Sequence, residues 1–348
     1  MTQAFTGKPV ATGEERSGVL LQVRDLRTHF PTRTGIIKAV DGVSFDVERG
    51  KTLCVVGESG SGKSVTARSI LQIVDEPGRI VSGSMQLHRP DGSSVDLARL
   101  GHRSREIRAV RGAEIAMIFQ EPMSSLSPVH TVGNQIMEVL TLHLKMNKVQ
   151  ARARCVELLG QVEIPNPDKA VDRYTFEFSG GMRQRVMIAM ALANEPEVLI
   201  ADEPTTALDV TVQAQIMELL DELRVQHQLA LVLITHDLGV VAGATDRVAV
   251  MYAGRVVEAG AVDAIFHSPG HPYTRGLLEC LPRLDTKHPV HASIPGVPAS
   301  PTSLPPGCPF APRCKYVLPS CSQAEPDLIP FGDTMVACSV ITGVAGTQ

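Results

Sequence analysis

The chain has 348 residues and a formal net charge of −4, which suits one large core with an appendage and excludes a global basic field for nucleic acid. No apolar run, Leu229–Ile234 included, approaches the length of a membrane span. Residues 1–18 lack the apolar stretch of a signal peptide and read as a loose tail, so a soluble intracellular protein is expected.

In chain order, Leu20–Val23 and Ile36–Val40 are strand-like runs with Phe30 between them. An exposed aromatic there can stack on a base; position alone favours a core or edge Phe. Val43–Glu48 alternates apolar and polar residues, the pattern of a half-buried strand, and Arg49-Gly50 ends it. Leu53–Val56 is a short apolar run suited to a buried strand. It leads into Gly57-Glu58-Ser59-Gly60-Ser61-Gly62-Lys63-Ser64, which reads G-x-x-x-x-G-K-S, and then into a helix start at Val65–Leu71. Glycines let a loop turn its N–H groups inward, and the helix start adds positive potential where phosphates sit. Lys63 would reach the β- and γ-phosphates, and the Ser64 hydroxyl would hold Mg²⁺. This is the pattern of a nucleoside-triphosphate site.

Met85–Leu87 and Ser94–Leu97 flank the turn dipeptide Asp91-Gly92 and predict a hairpin. Arg99–Arg111, with five arginines, reads as a solvated helix face or loop. Ile115–Phe119 is another buried-strand candidate. It ends at Gln120, at the strand end where ligands bind in α/β sheets. A Pro- and Ser-rich loop follows from Glu121 to Asn134, then a helical insertion to about Phe178, broken at Pro165 and Pro167.

Ser179 is a natural helix N-cap, and Gly180-Gly181 would let an anion approach the backbone, although a simple capped helix explains both. Val198–Ala201 is an apolar strand ending in Asp202-Glu203. That pair suits one carboxylate on Mg²⁺ or its waters and one activating an attacking water. Ala207-Leu208-Asp209 precedes an amphipathic helix carrying Val212, Ile216, Leu219, Leu220 and Leu223. The strand Leu231–Ile234 ends at Thr235-His236-Asp237. A lone His is usually structural, but one at the tip of a buried strand in register with a phosphate loop is a catalytic candidate.

From about Leu20 to Gly270 these motifs resemble an ATP-binding cassette (ABC) ATPase. Phosphate loop, Gln120, Ser179-Gly180-Gly181, Asp202-Glu203 and His236 occur in that family's order. The resemblance implies ATP binding by Gly57, Ser59, Gly60, Ser61, Gly62, Lys63, Ser64, Val65 and Gln120, with Phe30 on the adenine after all. It implies that Ser64, Gln120 and Asp202 serve Mg²⁺, that Glu203 is the base, and that His236 contacts the γ-phosphate. Ser179, Gly180, Gly181, Met182 and Asp209 would complete the ATP site of a second subunit. Phe178 stands where the family usually has Leu, and Met182 where it has Gln; both are familiar in one subfamily.

That subfamily is the dipeptide, oligopeptide and nickel importers, which Phe119–Pro128, Phe178–Arg185 and His271–Leu277 resemble. The implied fold is α/β, a P-loop NTPase of ABC type. A mixed sheet core lies in residues 19–270, with a helical subdomain at about 121–178 and a Cys-containing extension over 271–348. The implied function is the ATP-hydrolysing subunit of a bacterial importer for di- and oligopeptides, peripheral on the cytoplasmic face of the inner membrane. Its partners would be a second ATPase of paralogous sequence, two transmembrane permease subunits and an extracytoplasmic binding protein, with no nucleic acid. Nickel chelates or oligosaccharides are alternative cargoes. A soluble ABC protein of DNA repair or translation fits less well, because the chain has neither a long coiled coil nor a second cassette. A metal or redox sensor with a regulatory ATPase is a third reading, and the His271–Thr274 stretch disfavours it.

The tail after Leu277 is proline-dense, which predicts extended segments rather than a second core. Without a secretion signal, cysteines read as thiols or metal ligands. Cys54, Cys155 and Cys280 are scattered ordinary thiols. Cys308, Cys314, Cys321 and Cys338 are spaced C-x5-C-x6-C-x16-C. That spacing lacks the C-x2-C pairs of structural zinc sites, yet four thiolates fit zinc as well as a [4Fe–4S] cluster. The resemblance to dipeptide-type importers with a similar tail favours the [4Fe–4S] cluster. Nothing in the sequence places it near the phosphate loop.

Overall fold

The computed structural model describes residues 18–120, 125–281 and 293–341. The tail expected over 1–18 lies almost wholly outside these residues, as do Glu121 to Ser124 of the Pro/Ser loop. Strands β1 (Val19–Thr32), β2 (Gly35–Glu48), β4 (Arg79–His88) and β5 (Ser94–Asp96) form an antiparallel sheet in the order β2-β1-β4-β5. The second sheet has eight strands. It comprises β3 (Thr52–Val56), β6 (Ile115–Ile118), β7 (Val198–Asp202), β8 (Ala230–Thr235), β9 (Arg247–Tyr252), β10 (Arg255–Ala261), β11 (Ile329–Phe331) and β12 (Thr334–Val336). Their order is β11-β12-β10-β9-β3-β8-β7-β6.

The centre of that sheet is parallel, and β3, β7 and β8 are buried along their whole length. Continuous apolar runs are what a sheet covered on both faces requires. On β3, Cys54 and Val56 join the core under the helices, whereas Leu53 and Val55 face the antiparallel sheet. Register does the rest. Val56 pairs with Thr235, Asp202 with Ile234, and Ile118 with Ala201. The chain therefore leaves β3, β8, β7 and β6 along one edge, carrying Gly57, His236, Glu203 and Gln120 out side by side.

Helices Val132–Leu144, Lys148–Gln161 and Gly180–Leu192 cover one end of this edge. Asn147 and Gln150 close a capping box on the second of them. Among the described residues no helix is long and apolar enough to cross a membrane.

Two expectations need correction and a third gains detail. The two runs around Phe30 belong to strands of 14 residues each, with Phe30 paired to Ile37 inside the β1–β2 ladder. A bulge-tolerant two-stranded ribbon accommodates the polar residues and Pro31 that break the apolar pattern. Arg99–Arg111 is not simply a solvated face. Ile107 and Val110 are buried, and the Arg111 guanidinium donates to the carbonyls of Leu71, Gln72 and His102, closing the end of the helix Lys63–Ile70. Among the described residues the proline-dense tail builds no second core, as expected, and one of its extended segments is a paired strand. Its β12 pairs with β10 (Glu258 with Val336, Gly260 with Thr334) and so extends the main sheet.

One buried carboxylate fastens the start of this extension. Glu258, fully buried on β10, accepts the backbone N–H groups of Gly270 at 2.6 Å and His271 at 2.9 Å. Burial pushes the His271 imidazole down to about 3, so it stays neutral and accepts from the Tyr273 N–H. Glu258→Ala orphans two buried donors and is expected to cost about 2–4 kcal/mol. Urea denaturation measures the loss, with new proteolytic cleavage beyond residue 270. Unchanged stability would contradict this anchoring role.

Candidate functional site: a nucleotide cradle with one open face

The phosphate loop is pressed onto backbone on two sides. At Gly57 an added Cβ would lie 2.2 Å from the Met251 carbonyl oxygen, and at Gly62 it would lie 2.2 Å from that of Ala39. Gly62 also has φ of 100°, which only glycine adopts without strain. It caps the helix that begins at Lys63. The first-turn N–H groups, those of Lys63, Ser64 and Val65, have no intrahelical acceptor and face the loop's concavity. Ser59 and Gly60 form the exposed crest, and Ser61 is buried beneath it. Lys63 is 5% exposed, with its ammonium donating to the carbonyls of Gly57 at 2.7 Å and Glu58 at 3.1 Å. Burial lowers its pKa, and the charges of Glu203 and Asp202 oppose that shift.

Two carboxylates face this loop from the end of β7. Asp202 accepts the Ser64 hydroxyl at 3.0 Å. Burial, with the neighbouring charge of Glu203, holds the Asp202 carboxyl above the usual range despite that bond. A hard divalent ion takes such oxygen donors, and Ser64 Oγ with the Asp202 carboxylate fits Mg²⁺. Glu203 takes a left-handed backbone conformation, φ 47°, that turns its side chain into a ring of donors. Gln120 Nε2 donates at 2.8 Å and Thr206 Oγ1 at 2.9 Å to one oxygen, and His236 Nδ1 lies 3.0 Å from the other. Burial alone would raise this carboxyl. The bonds from His236 and Thr206, with the charges of His236 and Lys63, outweigh it and hold the pKa below the usual value. An ionised carboxylate beside a phosphate cradle can accept a proton from water.

Gln120 thus reaches the site through Glu203 rather than Asp202. Phe30 is half-buried on β1, its ring lying across Gly78, where an added Cβ would come within 2.5 Å of it. Ser179, Gly180 and Asp209 are exposed, as is Val210, and His236 is 57% exposed. Ser179 Oγ caps its helix by accepting the Met182 N–H, and Asp209 Oδ1 accepts that of Val212. Gly181 lies so close to Val212 that an added Cβ would come within 2.6 Å. The Ser179–Met182 turn and Asp209 are therefore packed side by side at Gly181 and Val212, each bonded to its own helix start rather than to the Glu203 ring.

Sequence reasoning missed Thr206, whose hydroxyl carries no motif, and two residues of the extension. Arg313 grips Glu58 of the phosphate loop, and the Tyr273 hydroxyl accepts the Glu58 N–H. The cysteine-bearing extension thus touches the phosphate loop at Glu58, through the residue that precedes Cys314 in sequence. Tyr273 lay within the run His271–Leu277, but no local signal marks Arg313.

All seven cysteines are free thiols. Burial raises Cys308 to about 11 and also raises Cys314 and Cys338; Cys321 and Cys338 are near enough for their charge to be felt at Cys308 and Cys314. The Tyr316 N–H donates to Cys314 Sγ and the Leu318 N–H to Cys321 Sγ, each at 3.4 Å. Such bonds orient ligating sulfurs. Among the described residues, however, no three His, Cys, Asp or Glu side chains are grouped so as to hold a metal ion. The thiols are neighbours, not a closed coordination sphere.

A glycine-rich loop opening a helix, faced by adjacent carboxylates and a histidine from parallel strands, defines a P-loop ATPase of the cassette type. A model of the ABC transporter family matches residues 40–206, and one of the oligopeptide/dipeptide transporter C-terminal region matches residues 257–321. The chain is 49% identical over 314 residues to the dipeptide transport ATP-binding protein DppD of Escherichia coli (90% of this chain, 94% of that one). It is 50% identical over 317 residues to the oligopeptide transport ATP-binding protein OppD of Bacillus subtilis (90% and 87%). The chain belongs to the ATP-binding subunits of the dipeptide and oligopeptide ABC transporters. Among solved structures it resembles a dimeric ATP-binding cassette in a post-hydrolysis state bound to ADP and Pi. That match has a TM-score of 0.61 and 26% identity, covering 70% of this chain and 99% of that one.

Thr206→Val removes one donor from Glu203, so the carboxyl pKa rises. A base must be ionised to act, and the acid limb of the kcat–pH profile is therefore expected to move to higher pH. A limb that stays put or moves lower would contradict the role of Thr206.

Proposed function

We propose that this chain hydrolyses ATP to drive a bacterial importer of di- and oligopeptides, working on the cytoplasmic face of the inner membrane. The carrying observation is the convergence of Gln120, Thr206 and His236 on the Glu203 carboxylate, facing Lys63 and the Ser64–Asp202 pair across the loop. The names of its relatives support the peptide cargo. In this reading Lys63 and the loop N–H groups bind the β- and γ-phosphates, and Ser64 and Asp202 would serve Mg²⁺, with Gln120 joining them by turning its amide oxygen from beside Glu203. The ion would neutralise phosphate charge. Glu203 takes the proton of the attacking water, and His236 orients the γ-phosphate. Phe30 would stack on the adenine.

The exposed turn Ser179–Met182 and Asp209 would complete the nucleotide site of a second ATPase, with a paralogue as the favoured partner. ATP between the two would close the pair and switch two permease subunits that receive peptide from an extracytoplasmic binding protein. A cleft of about 800 Å³ between β6 and the helices, lined by Phe119, Gln120, Val139, His143 and Met187, is a suitable permease seat. The Pro- and Ser-rich loop Glu121–Asn134 is a further candidate docking surface for the permease, and its first four residues lie outside the described residues.

Lys63 and Glu203 should fail differently. Lys63→Ala is expected to weaken ATP binding at least tenfold. Glu203→Gln should retain ATP and lower turnover by about 10²–10⁴, the usual worth of a general base. Equilibrium binding and steady-state ATPase assays of the assembled transporter separate the two. Normal turnover by Glu203→Gln would remove it as the base.

For the extension, the reading is that Cys308, Cys314, Cys321 and Cys338 carry a [4Fe–4S] cluster. The support is the backbone bonds to two of the sulfurs and the resemblance of the four-Cys tail. The four thiols are not gathered into one sphere as folded, and a tail with few apolar residues would gain order from such a clip. Anaerobically purified protein should be brown, with about four irons per chain. Cys314→Ser should bleach it. Colourless protein with one zinc would refute iron while keeping the ligands, and no metal would refute both.

A further inference from the structure

Glu58 is the second residue of the phosphate loop, and every polar group it has is engaged. Its carboxylate takes a two-pronged bond from Arg313, Nη1 at 2.6 Å and Nη2 at 2.9 Å. Its N–H donates to the Tyr273 hydroxyl at 2.9 Å. Its carbonyl accepts from the Lys63 ammonium at 3.1 Å and from the Ser61 N–H at 3.2 Å. The first two partners come from the C-terminal extension, and the last two lie within the loop that holds phosphate.

Arg313 is itself immobilised. Its side chain is 3% exposed. Nε donates to the Pro295 carbonyl at 3.1 Å and Nη2 to that of Ile294 at 3.2 Å, while Nη1 lies 3.3 Å from the Tyr252 hydroxyl. The guanidinium also lies 5.8 Å from the Tyr252 ring centre and 5.9 Å from that of Phe310. A guanidinium with its donors so occupied cannot swing away at small cost. Tyr273 is fully buried in the same aromatic group, 4.7 Å from Tyr252 between ring centres.

We propose that Arg313 and Tyr273 are positioning residues for the chain's own ATP site: together they fix Glu58, and through its carbonyl they aim Lys63 at the triphosphate. Two physical effects act together. The Tyr273 hydroxyl and the guanidinium hold the backbone at Glu58 where its carbonyl meets Lys63. Arg313 also neutralises a carboxylate that would otherwise oppose the phosphates from within their own cradle. The extension is then part of the nucleotide site as well as an appendage of the sheet. The inference rests on reading Gly57–Ser64 as the ATP site, which loss of ATP binding in Lys63→Ala tests separately.

The test uses the full-length chain in its assembled transporter, with MgATP as the probe. Arg313→Gln is expected to raise the ATP Kd and KM about tenfold with kcat within twofold, because losing the bond to Glu58 weakens the loop's hold on phosphate in ground and transition states alike. Removing the bare carboxylate in the same background, Arg313→Gln with Glu58→Gln, should restore most of the affinity. Simple support of the fold would show no such rescue in Kd. Should Arg313→Gln fail to assemble, Tyr273→Phe, which deletes one hydroxyl and leaves the Glu58 N–H unpaired, is expected to raise Kd about threefold in a chain that still folds and assembles. A Kd within the wild-type error in the assembled variant, or a double variant as weak as the single one, would overturn the proposal.

Discussion

A buried carboxylate at the end of β7 sets the terms for the whole site. Taking Glu203 out of water opposes its ionised form, and the structure offsets that with donors from three separate segments, Gln120 after β6, Thr206 after β7 and His236 after β8. Those donors can converge only if β6, β7 and β8 run parallel and end in register. That arrangement in turn demands apolar cover on both faces. The left-handed backbone at Glu203 is the remaining cost, spent where it turns the carboxylate toward the phosphate loop.

Local pattern carried much of this. Short apolar strands bounded by Gly57, Gln120, Asp202-Glu203 and His236 marked both the parallel sheet and the residues at its edge, because buried strands and strand-end ligands leave compact signatures. The Asp91-Gly92 hairpin was legible for the same reason. Contacts between distant segments were not. Arg313 meets Glu58 across 255 positions of sequence, and nothing around Arg313 distinguishes it from a surface arginine. Arg111 was misread similarly, since a run of arginines looks solvated until the carbonyls it caps are known. The short β12 was hidden among prolines and glycines, and only its pairing with β10 makes it a strand. Phe30 stands between the two cases: its strand is longer than the pattern suggested, and its partner for the free ring face was named by resemblance alone.

The site as folded is asymmetric. Lys63, Asp202 and Glu203 are buried, yet Ser59, Gly60 and His236 open onto the surface. Ser179, Gly180 and Asp209, the residues that would close such a site, are exposed and bonded to helix ends instead. An open cradle on one side and an unused anion-accepting turn on the other suit a pair of ATPases, each supplying what its partner lacks. Water must be excluded for charge stabilisation to act at full strength, and the exposure of Ser59, Gly60 and His236 leaves that to a partner in the proposed pair.

The most direct test of this account is the ATPase rate of the purified chain over a wide dilution range, alone and with the second ATPase and permease subunits added. The account predicts poor turnover at low concentration and a steep rise on assembly. Full turnover per chain, independent of concentration and of partners, would contradict it.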